Sequence, residues 1–316
     1  MKNSLKIRLF ENKYLGQVIK LINESDHTNR AVSSWKNNDM TAILAFKGNL
    51  LIGAIPFESH CIKTAINQYS EGLWVSAAFV KSEYRGLGIG SLLDTEVKNL
   101  FPKKEIIMVV RHDEGTAAYK WYLKNKYTVL SQVFSLKMPV KNSGLKYNIN
   151  YKILEENEVS KNSKELLKIF EFHNKKKNNF PNRSVKYWEN RMLFHYYKEF
   201  YKYYIILITL NTGQKSFALL GETSIRDNIS RIDILELSCT SNKKDIKNLL
   251  DKIQHFSNKK NVQEVRIQVA ECDELKDLAM NYGFTKRWKT NLMSKNLNKS
   301  IKILKNETRF FQIDYI

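Results

Sequence analysis

Three glycines at alternating positions, Gly86, Gly88 and Gly90, lie between an apolar run ending at Val80 and a segment of helical apolar periodicity that starts near Gly88. A strand that passes through such a turn into a helix leaves backbone N–H groups unpaired and uncovered by side chains. The helix dipole adds positive potential at the same place. The run Val80-Lys81-Ser82-Glu83-Tyr84-Arg85-Gly86-Leu87-Gly88-Ile89-Gly90-Ser91 is therefore suited to holding a pyrophosphate. It is no P-loop, because Gly-Lys-Ser/Thr does not follow at the required spacing, and its glycine order misses the Gly-x-Gly-x-x-Gly of dinucleotide folds. Taken alone, a tight connection without a ligand could carry the same glycines.

Around this turn the pattern alternates between strand and helix. Residues 5–10, 42–46, 50–55, 73–80, 106–110 and 129–137 read as strands, with a hairpin turn at Lys47-Gly48-Asn49. Residues 14–23, 88–99 and 116–124 read as helices. Pro139 and Lys141-Asn142-Ser143-Gly144 read as a linker, dividing the chain into 1–145 and 146–316. The second part runs through a comparable order: helices at 165–172, 244–256 and 274–281, strands at 203–210, 217–223, 232–238 and 262–269. Two landmarks agree at one offset of 157 residues: Tyr127 with Phe284 at a helix-to-strand turn, and Leu92-Leu93-Asp94 with Leu249-Leu250-Asp251 in a helix. That favours a tandem repeat, and the expected class is α/β with a mixed sheet in each half.

Composition narrows the function classes. The 316 residues are 43% hydrophobic and 27% charged, an ordinary globular balance. No apolar run approaches the roughly 18–20 residues of a membrane span, and the first residues do not read as a secretory signal. Cys61, Cys239 and Cys272 form neither a zinc pattern nor a disulfide framework, which points to the cytoplasm, and no metal is assigned. The net charge of +20 is spread over both halves, with 20 basic against 12 acidic residues in 1–145. Such a balance favours anionic ligands, although an AT-rich codon bias explains the lysine excess as well. Lys175-Lys176-Lys177 with Arg183, Lys186, Tyr187, Trp188 and Arg191 mixes charge and aromatics as RNA-binding surfaces do. A solvated turn before a helix that buries Trp188, Met192 and Phe194 is the favoured reading, so nucleic acid is not the favoured partner.

The flanks of the glycine turn carry a resemblance. Arg85-x-x-Gly88-x-Gly90, with Val80 five residues before the arginine, resembles the acetyl-CoA motif of the GCN5-related N-acetyltransferase (GNAT) superfamily, Arg/Gln-x-x-Gly-x-Gly/Ala. Downstream, Ala118-Tyr119-Lys120-Trp121-Tyr122-Leu123-Lys124-Asn125-Lys126-Tyr127 is similar to the family's Ala-x-x-x-Tyr helix entering a Gly-Phe turn. The resemblance covers 1–138; over 151–296 it extends to the order of elements only. It implies a GNAT fold followed by a second GNAT-like domain. It also implies acetyl-CoA as acyl donor, held by Arg85, Gly86, Leu87, Gly88, Ile89, Gly90 and Ser91 and by the exposed strand edge Ala78-Phe79-Val80. The Ala78 amide would polarise the thioester carbonyl, as an oxyanion-hole donor does. Tyr122 matches the tyrosine that protonates the departing thiolate. The run 75–80 reads equally as a core strand, and Tyr119, Trp121, Tyr122 and Tyr127 could equally be a core aromatic face.

The general base stays open. Some family members place a glutamate six residues before the strand valine, a position held here by Trp74, while Glu58 and Glu71 lie on neighbouring segments. The family's asparagine at the start of the second helix is Gly115, and the glycine of its Gly-Phe turn is Lys126. At offset 157, Arg85 becomes Asn242, the three glycines become Lys243, Asp245 and Lys247, and Tyr122 becomes Ala279. The second half is thus expected to be a degenerate domain that helps recognise the acceptor. The reading is a direct N-acetyl transfer to an amine-bearing acceptor in a ternary complex. The alternative is a non-catalytic acyl-CoA-sensing or RNA-binding protein.

Overall fold

The computed structural model describes residues 5–24, 41–65, 68–75, 78–100, 106–140, 151–177, 180–184, 201–210, 212–223, 229–240 and 242–296. In chain order the elements are β1 (Leu5–Leu9), α1 (Leu15–Glu24), β2 (Thr41–Lys47), β3 (Leu50–Ala65), β4 (Gln68–Val75), β5 (Phe79–Val80), α2 (Ile89–Leu100), β6 (Ile106–His112), α3 (Ala117–Lys124) and β7 (Thr128–Pro139). They continue as β8 (Tyr151–Glu155), α4 (Glu156–His173), β9 (Phe180–Pro181), β10 (Lys202–Thr209), β11 (Lys215–Thr223), β12 (Arg231–Ser238), α5 (Lys243–Lys259), β13 (Glu264–Ala270), α6 (Glu274–Tyr282) and β14 (Thr285–Asn296).

Two compact units result. The first comprises Met1–Ile62, Tyr69–Leu130 and Asn291–Lys302; the second comprises Lys63–Gln68, Ser131–Thr290 and Ile303–Ile316. The first unit orders its strands β1-β2-β3-β4-β6-β14, with β4 and β6 parallel and β14 antiparallel to β6. The second orders them β8-β10-β11-β12-β13-β7, with β12 and β13 parallel and β7 antiparallel to β13. The two orders correspond element by element, and β14 lies 157 residues beyond β7 at both ends.

Strand alternation separates two cores in each unit, because successive side chains point to opposite faces. On β2, Ala42, Leu44 and Phe46 meet Val18 and Leu21 of α1, whereas Ile43 and Ala45 share a core with Leu93 and Val97 of α2 and with Tyr122. On β10, Tyr204, Ile206 and Ile208 pack with Leu249 and Ile253 of α5, and Tyr203, Ile205 and Leu207 pack with Leu166 and Phe170 of α4. Both faces of these strands are covered, which is why they read as continuous apolar runs.

The last strand of each unit comes from the other repeat. In the first unit Asn291 opposes His112 and Lys295 opposes Met108; in the second, Phe134 opposes Val269 and Met138 opposes Val265. Each pair maps onto its counterpart at offset 157, so the exchange preserves register. A cut at 145/146 does not describe this interleaving, and the expected linker at 141–144 lies outside the described residues.

Three elements differ from their expected extents. β3 runs to Ala65, past Pro56. Pro56 opposes Ala42, whose carbonyl already accepts the Phe10 N–H at 2.8 Å, so the missing proline donor costs no bond to β2. α4 starts at Glu156, behind a capping box of Glu155 and Glu158 in a stretch too polar to show periodicity. The strand expected over 73–80 is divided between β4 and β5, and β5 pairs with β3 (Gly53↔Val80, Ala54↔Phe79).

Met293 on β14 is fully buried in the first unit's core. Met293→Ala is expected to lower stability by about 2–5 kcal/mol, whereas Met280→Ala, at a side chain 37% exposed, stays within about 0.5 kcal/mol. Hydrogen exchange on Met293→Ala should lose protection in α2 and β6 rather than in β10 and β11; the reverse pattern would contradict the exchange.

Candidate active site

The glycine turn is tied down at several points. The Lys81 N–H donates to the Ile52 carbonyl at 2.9 Å and the Tyr84 N–H to the Lys81 carbonyl at 2.9 Å, closing a 3-10 turn over Ser82–Tyr84. Arg85 Nε donates to the Val80 carbonyl at 3.0 Å, so this side chain braces the loop against its strand. Ile89 plugs the start of α2 into the core. Gly86 and Gly88 both have φ of 80°, and a Cβ at either would point into open space. Left-handed backbone, not crowding, is what demands glycine there. Gly90 differs: a Cβ would stand 3.3 Å from the Trp121 indole, whose N–H donates to Ser91 Oγ at 3.2 Å. Arg85, Gly86, Leu87 and Gly88 are exposed, and Gly90 and Ser91 are half-buried.

α3 begins at an N-cap supplied by Thr116, whose hydroxyl accepts the Tyr119 N–H at 3.1 Å. Its C-terminal turn puts Lys126 at φ 67°, where the second unit has Gly283 at φ 122°. The left-handed residue that the turn needs is therefore present as lysine, with a backbone cost of roughly 1–2 kcal/mol.

Tyr122 is buried, and Ala78 packs against the same core cluster. Two residues read separately from the sequence thus belong to one core. The Tyr122 ring lies 4.7 Å from Trp121, 4.9 Å from Tyr127 and 5.7 Å from His112, centroid to centroid. Burial pushes the Tyr122 phenol well above its ordinary value; the Asp94 carboxylate adds to the rise and the Ala78 N–H opposes it. Tyr127, likewise pushed up by burial first, donates to Asp94 Oδ1 at 3.0 Å, and Lys295 Nζ bonds Asp94 Oδ2. The phenol of Tyr122 therefore remains protonated throughout the neutral range.

Parallel pairing of β4 with β6 runs from Glu71↔Ile106 to Trp74↔Val109, after which β6 continues to His112. Beyond Trp74 the chain reaches Ala78 and then pairs with β3 through β5. The Phe79 side chain turns into the α1-side core, so only its backbone is available to a ligand; Val80 is half-buried.

Of the two carboxylates considered for the base, Glu71 is exposed near Cys61, whose thiol is pushed up by burial and then by the Glu71 charge. Glu58 is half-buried, and its Oε2 lies 3.0 Å from His60 Nε2. The His60 ring stands edge-on to Trp74, with centroids 6.4 Å apart. Sequence reasoning missed His60. The available signal was Glu-x-His on a strand, which puts both side chains on one face.

At the second unit's equivalent of the glycine turn, the Asn242 side chain caps α5 by accepting the Lys244 N–H at 2.8 Å, and Thr240 Oγ1 donates to Asp245 Oδ2 at 2.6 Å. The chain's own groups occupy the helix start, and a carboxylate stands where an anion would approach. Arg183 is sequestered in a buried ion pair with Glu236 at 2.9 Å; Lys186, Tyr187, Trp188, Arg191, Met192 and Phe194 lie outside the described residues. Among the described residues, no helix is long and apolar enough to cross a membrane, and no three His, Cys, Asp or Glu side chains gather as a metal group.

No protein-family model and no curated protein sequence matches the chain. Solved structures do. A conserved Enterococcus faecalis protein described as a probable N-acyltransferase superposes with a TM-score of 0.70 at 10% identity, over 93% of this chain and 72% of that one. A GCN5-related N-acetyltransferase from Anabaena variabilis gives 0.67 at 12% identity, over 93% and 73%. A tandem GNAT protein from the clavulanic acid biosynthesis pathway gives 0.61 at 10% identity, over 94% and 99%. The chain has the mixed α/β fold of the GCN5-related N-acetyltransferases.

The buried phenols carry a pH signature. A phenol held above its unfolded value of 10.0 keeps its proton longer in the folded state. Its contribution is complete below about pH 10 and is lost as pH rises toward the folded value. Urea midpoints are expected to fall above about pH 10, and less steeply in Tyr122→Phe; an identical slope in that variant would contradict the burial effect.

Proposed function

We propose that the chain is a cytoplasmic, acetyl-CoA-dependent N-acyltransferase acting on an amine-bearing acceptor. In this reading the first unit performs the chemistry and the second helps recognise the acceptor. The observation that carries it is the exposed left-handed glycine entry to α2 beside a buried Tyr122 on α3 that packs in one core with Ala78, Ile89 and Leu93.

The residues present fit an acyl-CoA. The exposed, left-handed backbone at Gly86 and Gly88 has no side chain to keep a pyrophosphate away, and α2 begins directly behind it. Arg85, Gly86, Leu87, Gly88, Ile89, Gly90 and Ser91 would hold the phosphates, and the backbone of Ala78, Phe79 and Val80 would receive the extended arm. The bound thioester supplies an activated acetyl group. Tyr122 holds a proton at its hydroxyl oxygen, ready for the departing sulfur. Its raised phenol is a weaker acid than a thiol of ordinary value, about 8.5. It therefore donates a hydrogen bond to the developing thiolate, and transfer of the proton to sulfur runs uphill by the difference between the two groups. His60, oriented by Glu58 beside Trp74, is the group to accept the proton of the attacking amine.

The rival, a non-catalytic acyl-CoA sensor, shares the glycine turn but gives Tyr122 and the Glu58–His60 pair no task. Calorimetry with acetyl-CoA followed by CoA release against an amine panel separates the two, since tight binding without turnover favours the sensor. Gly88→Asp should abolish acetyl-CoA binding, while Asp245→Gly in the second unit should change nothing. Normal binding by Gly88→Asp would refute the loop assignment. Tyr122→Phe should lower kcat roughly 10²-fold, the lower end for general acid–base catalysis, with donor affinity unchanged. His60→Gln should likewise lower kcat without weakening acetyl-CoA binding; full turnover by His60→Gln assigns the base elsewhere.

A further inference from the structure

The repeat permits a comparison of the chain with itself. Asp94 on α2 and Asp251 on α5 occupy one position in the two units, and each accepts a tyrosine hydroxyl: Tyr127 on Asp94 Oδ1 at 3.0 Å, Tyr282 on Asp251 Oδ1 at 2.6 Å. Their cations differ. Asp251 meets Lys247, one helical turn earlier and largely exposed, at 3.0 Å. Asp94, 2% exposed, meets Lys295 from the exchanged strand β14, whose ammonium also lies 5.4 Å from the Tyr127 ring centroid. In the second unit the register position of Lys295 is held by Met138, opposite Val265 as Lys295 is opposite Met108. Tyr122 and Tyr127 become Ala279 and Phe284 there. Where the phenol of Tyr122 is lost, the Tyr127 hydroxyl and the strand-borne lysine are lost with it, while the carboxylate stays with Tyr282 and Lys247 as partners.

We propose that Lys295 is a positioning residue for Tyr122: through the chain Lys295–Asp94–Tyr127 it offsets the buried carboxylate near the phenol, so that the first unit's proton donor depends on β14. The inference rests on the transferase reading for the role of Tyr122, though not for the electrostatics. Among the described residues, the titratable or charged side chains facing this cluster are Asp94 from α2, His112 from β6, Tyr127 after α3 and Lys295 from β14. An uncompensated carboxylate would oppose negative charge developing on the Tyr122 oxygen, and in a buried site that opposition is weakly screened. The Lys295 ammonium offsets the carboxylate charge by its bond to Asp94 Oδ2.

Two measurements on the full chain test this. With 3,5-difluorotyrosine at position 122, whose phenol ionises lower than that of tyrosine, fluorine NMR reads the ionisation of that oxygen directly. Lys295→Met should raise its midpoint by about one pH unit, Lys295→Arg should leave it in place, and Lys295→Met with Asp94→Asn should bring it back. An unmoved midpoint in Lys295→Met overturns the proposal. The second measurement is CoA release from acetyl-CoA with hydroxylamine as a small nucleophile, per acetyl-CoA site titrated. Lys295→Met should lower kcat roughly tenfold, the size of a coupling within one hydrogen-bond network, with KM for acetyl-CoA unchanged. In the Tyr122→Phe background the same substitution should have no further effect, whereas equal losses in both backgrounds would mark a merely structural lysine and overturn the proposal. If the NMR midpoint moves as expected while Tyr122→Phe retains full turnover, the acid role of Tyr122 fails and the positioning role fails with it, although the electrostatic link stands.

Discussion

Antiparallel pairing of Asn291–Asn296 with β6, matched by pairing of β7 with β13, is the constraint on which the rest of this molecule depends. A sheet edge left without its neighbour exposes a row of unpaired N–H and C=O groups. Here the neighbour comes in each unit from the other repeat, in a register that the offset of 157 residues reproduces. Met293 is then core to the first unit, and Phe134, Leu136 and Met138 are core to the second, each in the hydrophobic layer beneath two helices. Local sequence distance is a poor guide to what packs together in such a chain. Residues 201 positions apart share one buried network.

That network shows how one fold encloses two different interiors. Both units keep an aspartate on the helix after the parallel crossover strand, and both satisfy it with a tyrosine hydroxyl. In the second unit the aspartate lies near solvent beside Lys247, and the core around Ala279 and Phe284 is apolar. In the first it is fully enclosed, and burial of a carboxylate is tolerated only with a cation and hydrogen bonds at hand. The same contrast holds at the helix starts. α5 is capped by Asn242, whereas α2 is entered through exposed left-handed glycines. A side-chain cap satisfies the helix N–H groups internally, while the glycine entry leaves its backbone open to an anion.

Much of the candidate site was legible because it lies on contiguous stretches. The glycine turn, the Ala118–Tyr122 spacing and the loss of both from the second half could all be read from residues 78–127 and their counterparts. The three glycines proved unequal: Gly86 and Gly88 answer to backbone geometry, and Gly90 to the approach of Trp121. Spacing alone could not separate those reasons, since a φ angle and a neighbouring ring leave the same letter in the sequence. His60 escaped notice because an isolated Glu-x-His on a strand has no distinctive pattern until Trp74 lies against it.

What the sequence by itself determined was local: the alternation of strands and helices, the glycine entry to α2, and the repeat at 157 residues, all written in periodicities of two to four residues or in direct self-similarity. Only the tertiary structure decided which strand closes each sheet, that β4 gives way to a separate β5 paired with β3, and that Arg183 is spent on Glu236 rather than held at a surface. It alone brought Lys295 to Asp94. The physical reason is common to all of these. Strand order, register between distant segments and the burial of a charge are set by hydrogen bonds and desolvation between residues far apart in the chain, and those terms have no representation in any short window of the sequence.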